Sequence, residues 1–311
     1  MRYGFGDYVY ELVEGWGERR HEWDMSTVPG VAVDANDHVY ILSRGKPPVV
    51  VMDRKGRLLE QFGNDGFGRA HAAYLDESGT FFCVDDAGHA VYRFDAGRKV
   101  DFTLGNKGVP SDTGCVNKDY KTITHGGGPF NYPTDLVIAK DGSIYVSDGY
   151  GNARVHKFSA EGKLLFSWGE PGDAPGYFNL PHGITLSPDE KIVYVADRQN
   201  CRIQLFDHEG NYLDQWTGLE RPAGVVIRDG IMYVAELKRC NVFDGSPSRI
   251  SILSLDGRLI SRLENDLICD PNIGYRAAHG VAVDSEGSIY VAQIGKKHPK
   301  DYFALLKYRR V

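Results

Sequence analysis

The sequence predicts an all-β fold, a six-bladed β-propeller forming a single domain over residues 1–311, on three observations. A frame of roughly 40 residues recurs six times, each copy reads as short alternating strands separated by turn residues, and the last copy lacks a strand that the N-terminus can supply. The clearest copy runs from Tyr132 to Gly169, PTDLVIAKDGSIYVSDGYGNARVHKFSAEGKLLFSWG, and its neighbour from Leu180 to Trp216 reads PHGITLSPDEKIVYVADRQNCRIQLFDHEGNYLDQW. Both contain an alternating apolar run, a turn, IYV or its equivalent followed by x-D, an N-x-R strand, an E-G turn and a last strand ending in Trp, which encodes four strands per unit. The frame returns at Val28 (VPGVAVDANDHVYILSRG), His71 (HAAYLDESGTFFCVDDAG), Ala223 (AGVVIRDGIMYVAE) and His279 (HGVAVDSEGSIYVAQ). A unit of this kind buries its faces only against its neighbours, so one closed ring accounts for the whole length. The sixth copy ends after three strands, and Tyr8 to Glu18 (YVYELVEGWGE) carries the missing outer strand, which closes the ring without an exposed lateral edge.

Composition narrows the function classes. Hydrophobic residues make up 42% and charged residues 25%, as in ordinary globular chains, which excludes disorder and coiled coil. The net charge of -6 disfavours a partner held through phosphates, so no nucleic acid is expected, and no apolar run is long enough for a membrane span or a signal peptide. Five scattered cysteines without a CxxC pair suggest neither a disulfide framework nor a thiolate zinc site, and point to a reducing cytoplasm.

The first strand of a blade lies innermost, so the residue opening it borders the central channel. That position is Pro29, His71, Thr134, His182, Ala223 and His279 in blades one to six. Histidine occupies alternate blades, about 120° apart in a six-fold ring, so three imidazoles converge at one height, as in a His₃ site for zinc or a similar divalent ion with one position left open. A histidine at a strand start is often only a hydrogen-bonded polar residue, but three of the ten in strict alternation at one repeat position are hard to obtain by chance. No carboxylate cage accompanies them, which favours zinc over a harder ion.

Adjacent strands are antiparallel, so the end of strand two opens on the same face. Four places after the repeat tyrosine or its equivalent stand Arg44, Asp86, Gly149, Arg198, Leu237 and Ile294, and Tyr150 lies one step beyond Gly149. Arg44 and Arg198 fall outside the recurring N-x-R position of Arg154 and Arg202, where interblade ion pairs are expected. This favours a substrate role for Arg44 and Arg198. The recurring Asp85, Asp148 and Asp197 read as structural. Three long connections, residues 106–129, 238–248 and 295–301, emerge on the histidine face by strand direction and could cover a site.

The D-G-x-IYV-x-D-x-x-N-x-R run resembles the NHL repeat family, which implies the fold and little about function. The wider constellation resembles one subgroup, the lyase domain of the peptidylglycine α-amidating enzyme. The matching segments are SRG at Arg44, the histidine at His71, IYVSDGYGNARV at Tyr150, LPHGITL at His182, VADRQNCRIQ at Arg198 and AHGVAVD at His279. The resemblance implies a catalytic zinc on His71, His182 and His279, Tyr150 as the base, and Arg44 and Arg198 acting on the hydroxyl and carboxylate of the substrate. It implies cleavage of the N–C bond of R-CO-NH-CH(OH)-COO⁻ to an amide and glyoxylate, with a small-molecule or peptide substrate as partner. Two positions depart from the family. Gly280 stands where an Asp helps to hold a structural calcium, which counts against that ion, and Gly151 stands where secreted members carry a cysteine. From the residues themselves, a zinc-dependent hydrolase, an aldolase-like lyase on another hydroxy acid and a non-catalytic protein-binding module remain open.

Overall fold

The computed structural model describes residues 1–63, 66–237, 248–264, 275–296 and 302–311. The chain folds as the six-bladed propeller that the repeats predict, with six antiparallel sheets and, among the described residues, helical structure only as two single 3₁₀ turns. No helix among these residues is long and apolar enough to cross a membrane. By contact the chain divides into two compact units, one of residues 1–66, 77–79 and 223–311, the other of residues 67–76 and 80–222.

The second unit holds blades two to four. Blade two comprises Ala70–Leu75, Phe81–Asp85, Ala90–Phe94 and Val100–Leu104; blade three Pro133–Ile138, Ile144–Asp148, Arg154–Phe158 and Leu164–Trp168; blade four Pro181–Leu186, Val193–Asp197, Arg202–Phe206 and Tyr212–Trp216. Second strands are buried along their length where both faces meet neighbouring sheets and third strands nearly so, while the outermost strands are largely open, leaving Leu164, Leu165 and Leu213 exposed. Between blades two and three Phe82, Val84, Phe130, Leu136, Val146 and Phe158 form one apolar cluster. Between blades three and four Tyr145, Trp168, Phe178, Ile184, Val195 and Phe206 form another. Removing such faces from water is the main force holding blades together.

The first unit holds blades one, five and six. In blade six the C-terminal strand Leu305–Arg310 pairs antiparallel with Tyr8–Leu12, in the register Tyr10 to Arg310 and Leu12 to Tyr308, so the N-terminal strand completes the blade. A further strand, Arg2–Phe5, pairs with Tyr8–Leu12 through a tight turn and makes this the one five-stranded sheet. Nothing in the repeat frame announces it, because Arg2–Phe5 has no counterpart in the other copies. Tyr10 is fully buried against Tyr233, Ile250, Ile289 and Tyr308, which ties the N-terminal strand to blade five as well as to its own.

The recurring aspartates are structural, as expected, but act within their own blades. Asp148 accepts from the Asn131 backbone N–H and from Asn152 Nδ2, and Asp197 from the Asn179 N–H, Asn200 Nδ2 and Arg202 Nε. Each carboxylate therefore fastens the end of strand two to the segment that enters strand one. Arg202 departs from the expected interblade ion pair, because its guanidinium meets Asp197 of its own blade at 2.7 Å, both groups being nearly inaccessible. Arg154 pairs with Glu170, beyond the end of blade three. A second correction concerns the cysteines. Cys201 is disulfide-bonded, while Cys83 and Cys115 are free thiols; Cys240 and Cys269 lie outside the described residues. Every other cysteine is remote from Cys201 in sequence, so no spacing signals that bond, and the cytoplasmic expectation loses the support it drew from cysteine usage.

Two outcomes follow. Tyr10→Ala should lower unfolding stability by about 3–5 kcal/mol in urea titrations, the cost of emptying a large aromatic site. Asp197→Ala should cost a similar ~3–5 kcal/mol by leaving Arg202 as a buried charge without its carboxylate.

Candidate metal and substrate site

All three ring histidines are buried and occupy the same structural device. His71 lies between Ala70, paired with Asp85, and Ala72, paired with Val84, so it is the extra residue of a β-bulge. His279 is bulged in the same way between Ala278 and Gly280, and the register of blade four breaks between Pro181 and Ile184, around His182. A bulge re-aims one side chain out of the strand alternation, which frees the imidazole from the packing of the sheet faces. Thr134 sits in the equivalent bulge of blade three.

Two of the histidine bulges are tied to the next blade. His71 Nδ1 lies 2.5 Å from the carbonyl oxygen of Thr134, the same position one blade on, and His279 Nδ1 lies 2.7 Å from the carbonyl oxygen of Pro29, again the next blade's position. A carbonyl only accepts, so each Nδ1 carries the hydrogen and each Nε2 keeps a lone pair for a metal or a donor. Where the position is not histidine the link persists, since the Thr134 hydroxyl donates to the carbonyl of Pro181 at 3.0 Å. The ligand nitrogens of His71, His182 and His279 all lie within 4.8 Å of one another. Three imidazoles without a carboxylate form a donor set that could hold a metal ion.

Tyr150 meets two of these histidines. Its hydroxyl lies 3.1 Å from His71 Nε2 and 3.3 Å from His182 Nε2, and Arg198 Nη1 donates to it at 3.3 Å. The residues beside it make that approach possible. A Cβ on Gly149 would stand 1.9 Å from the carbonyl oxygen of Pro181, and one on Gly151 would stand 2.2 Å from Asn131 Oδ1. The SDGYGN segment thus uses glycine on both sides of the tyrosine to press its backbone against blade four and the preceding loop. The Gly151 clash also accounts for the absence of a larger residue there.

Arg198 is buried in the 3₁₀ turn Arg198–Asn200, with its backbone N–H on the carbonyl of Leu180 and its guanidinium carbon 5.3 Å from the centre of the Tyr150 ring. Arg44 follows the strand Val39–Leu42, half-buried, its backbone N–H bonded to the Thr27 carbonyl. The connection of residues 106–129 reaches the Tyr150 neighbourhood as expected, whereas residues 238–247 and 297–301 of the other two connections lie outside the described residues. Sequence reasoning missed three residues around Tyr150. The Arg69 guanidinium carbon lies 5.6 Å and Lys118 Nζ 4.7 Å from its ring centre, and both cations share the fully buried Asp86. Arg69 and Lys118 fall outside the repeat positions, and Asp86, although it stands in the aligned series, is acidic where the neighbouring candidates are basic.

The chain is a six-bladed propeller in which histidine opens the first strand of blades two, four and six. The NHL repeat model matches residues 130–158 and 178–206. Among curated proteins, the chain is 29% identical over 166 residues to a probable peptidyl-α-hydroxyglycine α-amidating lyase of Caenorhabditis elegans, covering 46% of this chain and 44% of that protein. It is 27% identical over 186 residues to peptidyl-α-hydroxyglycine α-amidating lyase 2 of Drosophila melanogaster, covering 51% of this chain and 42% of that one. The match thus spans less than half the length of these relatives. Among solved structures, a streptogramin B lyase superposes with a TM-score of 0.60 at 12% identity, covering 98% of this chain and 97% of that one. A Xanthomonas campestris gluconolactonase superposes with a TM-score of 0.63 at 16% identity, covering 92% and 87%. At such identities the superpositions establish the propeller alone.

Gly149→Ala should displace the Tyr150 loop and cost about 1–3 kcal/mol, as overpacking does, while Gly128→Ala, whose Cβ meets nothing within 4 Å, should be close to neutral; thermal denaturation compares the two.

Proposed function

We propose that the chain is a metal-dependent lyase that cleaves the N–C bond of an α-hydroxyglycine-type carbinolamide, giving an amide and glyoxylate. The observation that carries this reading is the convergence of two histidine Nε2 atoms and the Arg198 guanidinium on the Tyr150 hydroxyl. Relatives named as lyases of this substrate class support it. His71, His182 and His279 would hold the ion, zinc by their donor chemistry, and Nδ1–H bonds to backbone carbonyls fix the tautomer that ligation needs at His71 and His279. When bound, such an ion lowers the pKa of a substrate hydroxyl and stabilises negative charge developing on its oxygen.

The protein's own groups supply the remaining parts. Tyr150 receives the hydroxyl proton, its own hydroxyl standing within reach of two ring histidines and of Arg198. As the carbon–oxygen bond gains carbonyl character the C–N bond breaks, and the amide nitrogen leaves with a proton, which Tyr150 is placed to return. A guanidinium stabilises the oxygen at which charge develops, and a second one grips the carboxylate through two parallel hydrogen bonds. Arg44 is assigned to the reacting oxygen and Arg198 to the carboxylate.

Elemental analysis of protein purified without chelators should find close to one zinc per chain. His71→Ala, His182→Ala and His279→Ala should each lose metal and turnover together while circular dichroism stays unchanged; a metal-free active wild type would overturn the reading. Tyr150→Phe should retain metal and lose about 10²–10⁴-fold in kcat on a carbinolamide such as N-acetyl-α-hydroxyglycine, the usual contribution of a general base. Arg198→Lys should raise KM more than it lowers kcat, because the carboxylate charge is present before and during reaction and lysine cannot reproduce the planar fork. Equal kcat/KM for the free acid and its neutral amide would show that no arginine reads the carboxylate. Hydrolysis of a lactone or ester instead would identify a hydrolase.

A further inference from the structure

We infer that Lys118 and Arg69 form a second anion subsite beside Tyr150, so that the preferred substrate carries an additional carboxylate on its acyl side. This rests on the lyase reading above for the identity of the reacting group, but the subsite itself rests on separate observations. Residues 116–119 form a two-residue hairpin, with Val116 bridged to Asp119 and the Asp119 N–H bonded to the Val116 carbonyl. Both central residues are left-handed, Asn117 at φ 53° and Lys118 at φ 59°. That is the geometry of a type I′ turn, for which Asn-Gly is the favoured pair. Asn fills the first position as expected, but a lysine stands where glycine would relieve the backbone, and a residue held in a disfavoured conformation at a site rim points to a use for its side chain.

The side chain has a definite destination. Lys118 Nζ lies 4.3 Å from the ring centre of Tyr132, 4.7 Å from that of Tyr150 and 3.3 Å from Asp86 Oδ2. Arg69 reaches the same carboxylate from the segment that enters strand one of blade two, with Nε 2.8 Å from Asp86 Oδ1 and 3.0 Å from Oδ2. Asp86 is wholly buried, whereas the side chains of Arg69 and Lys118 remain 36% and 23% exposed. The carboxylate therefore anchors two cations beside Tyr150 and leaves both partly open to solvent. With Arg198 they place three cations within 5.6 Å of one phenol ring. One carboxylate does not balance three cations, and an incoming anion offsets the remaining positive charge. The carboxylate of an α-hydroxyglycine is already assigned to an arginine, so Lys118 and Arg69 select for a second one.

The test compares two isosteric carbinolamides that differ only in charge, N-succinyl-α-hydroxyglycine and its terminal carboxamide. Wild type should favour the dianion by at least about tenfold in kcat/KM, and the ratio should fall toward one in Lys118→Gly, a variant that restores the Asn-Gly turn and so retains the hairpin. In parallel, calorimetric titration of the purified protein with succinate and with succinamate should show the dianion binding about tenfold more tightly, a preference lost in the same variant. Equal treatment of the two ligands by wild type, or a preference that survives Lys118→Gly unchanged, would overturn the subsite and leave Lys118 as an anchor for its own loop. Turnover of neither carbinolamide would instead count against the lyase reading, and the calorimetric comparison would still decide on the subsite.

Discussion

A four-stranded blade has two apolar faces, and neither can remain in water. The clusters around Phe82 and Phe158, around Trp168 and Phe206, and around Tyr233 and Tyr308 are the places where one blade's face meets the next. Packing of this kind requires successive sheets to adopt a common register, because a slip of one residue would turn the apolar set toward solvent. That requirement delivers the residue opening each first strand to an equivalent place. The site therefore depends on a constraint that concerns stability: repeats that must stack bring their corresponding positions together, and chemistry needs only the right side chains there.

The β-bulges convert this regularity into a site. In an unbroken strand the ring residue would be committed to one sheet face, but the register breaks at His71, His182 and His279 free them from that alternation. Strand stability is lost locally, and the bonds from His71 Nδ1 to Thr134 and from His279 Nδ1 to Pro29 compensate by linking adjacent blades. The same bonds place the hydrogen on Nδ1, so one interaction links two blades and orients the imidazole. Around Tyr150, Gly149 and Gly151 play a comparable part, exchanging side chains for close backbone approach.

The rim is built differently from the ring. Arg198 occupies a short turn whose preceding residue, Asp197, is fastened by Asn179, Asn200 and Arg202, so its position follows from the blade. Lys118 arrives from a connection that belongs to no repeat and is held by the carboxylate it shares with Arg69. Repeat positions set the histidines, and a connection between blades brings Lys118 to Tyr150, which is the usual division between scaffold and loop.

The sequence by itself determined the number of blades, the closing role of Tyr8–Leu12 and the alternation of histidines, because all three are one-dimensional consequences of a repeat whose strands have period two. It also singled out Tyr150 and Arg198, since both can be numbered from the repeat tyrosine. Only the tertiary structure decided the bulges, which appear as a change of pairing partner and leave no mark in composition. It alone supplied the extra strand Arg2–Phe5 and the disulfide at Cys201, neither of which has a counterpart in the repeat frame. The meeting of Arg69, Lys118 and Asp86 at Tyr150 was likewise hidden, because it joins residues up to 81 positions apart through loops whose course the repeat frame does not set. Periodicity carries information about elements that repeat; contacts made by segments that do not repeat are fixed by packing and electrostatics after the blades are in place.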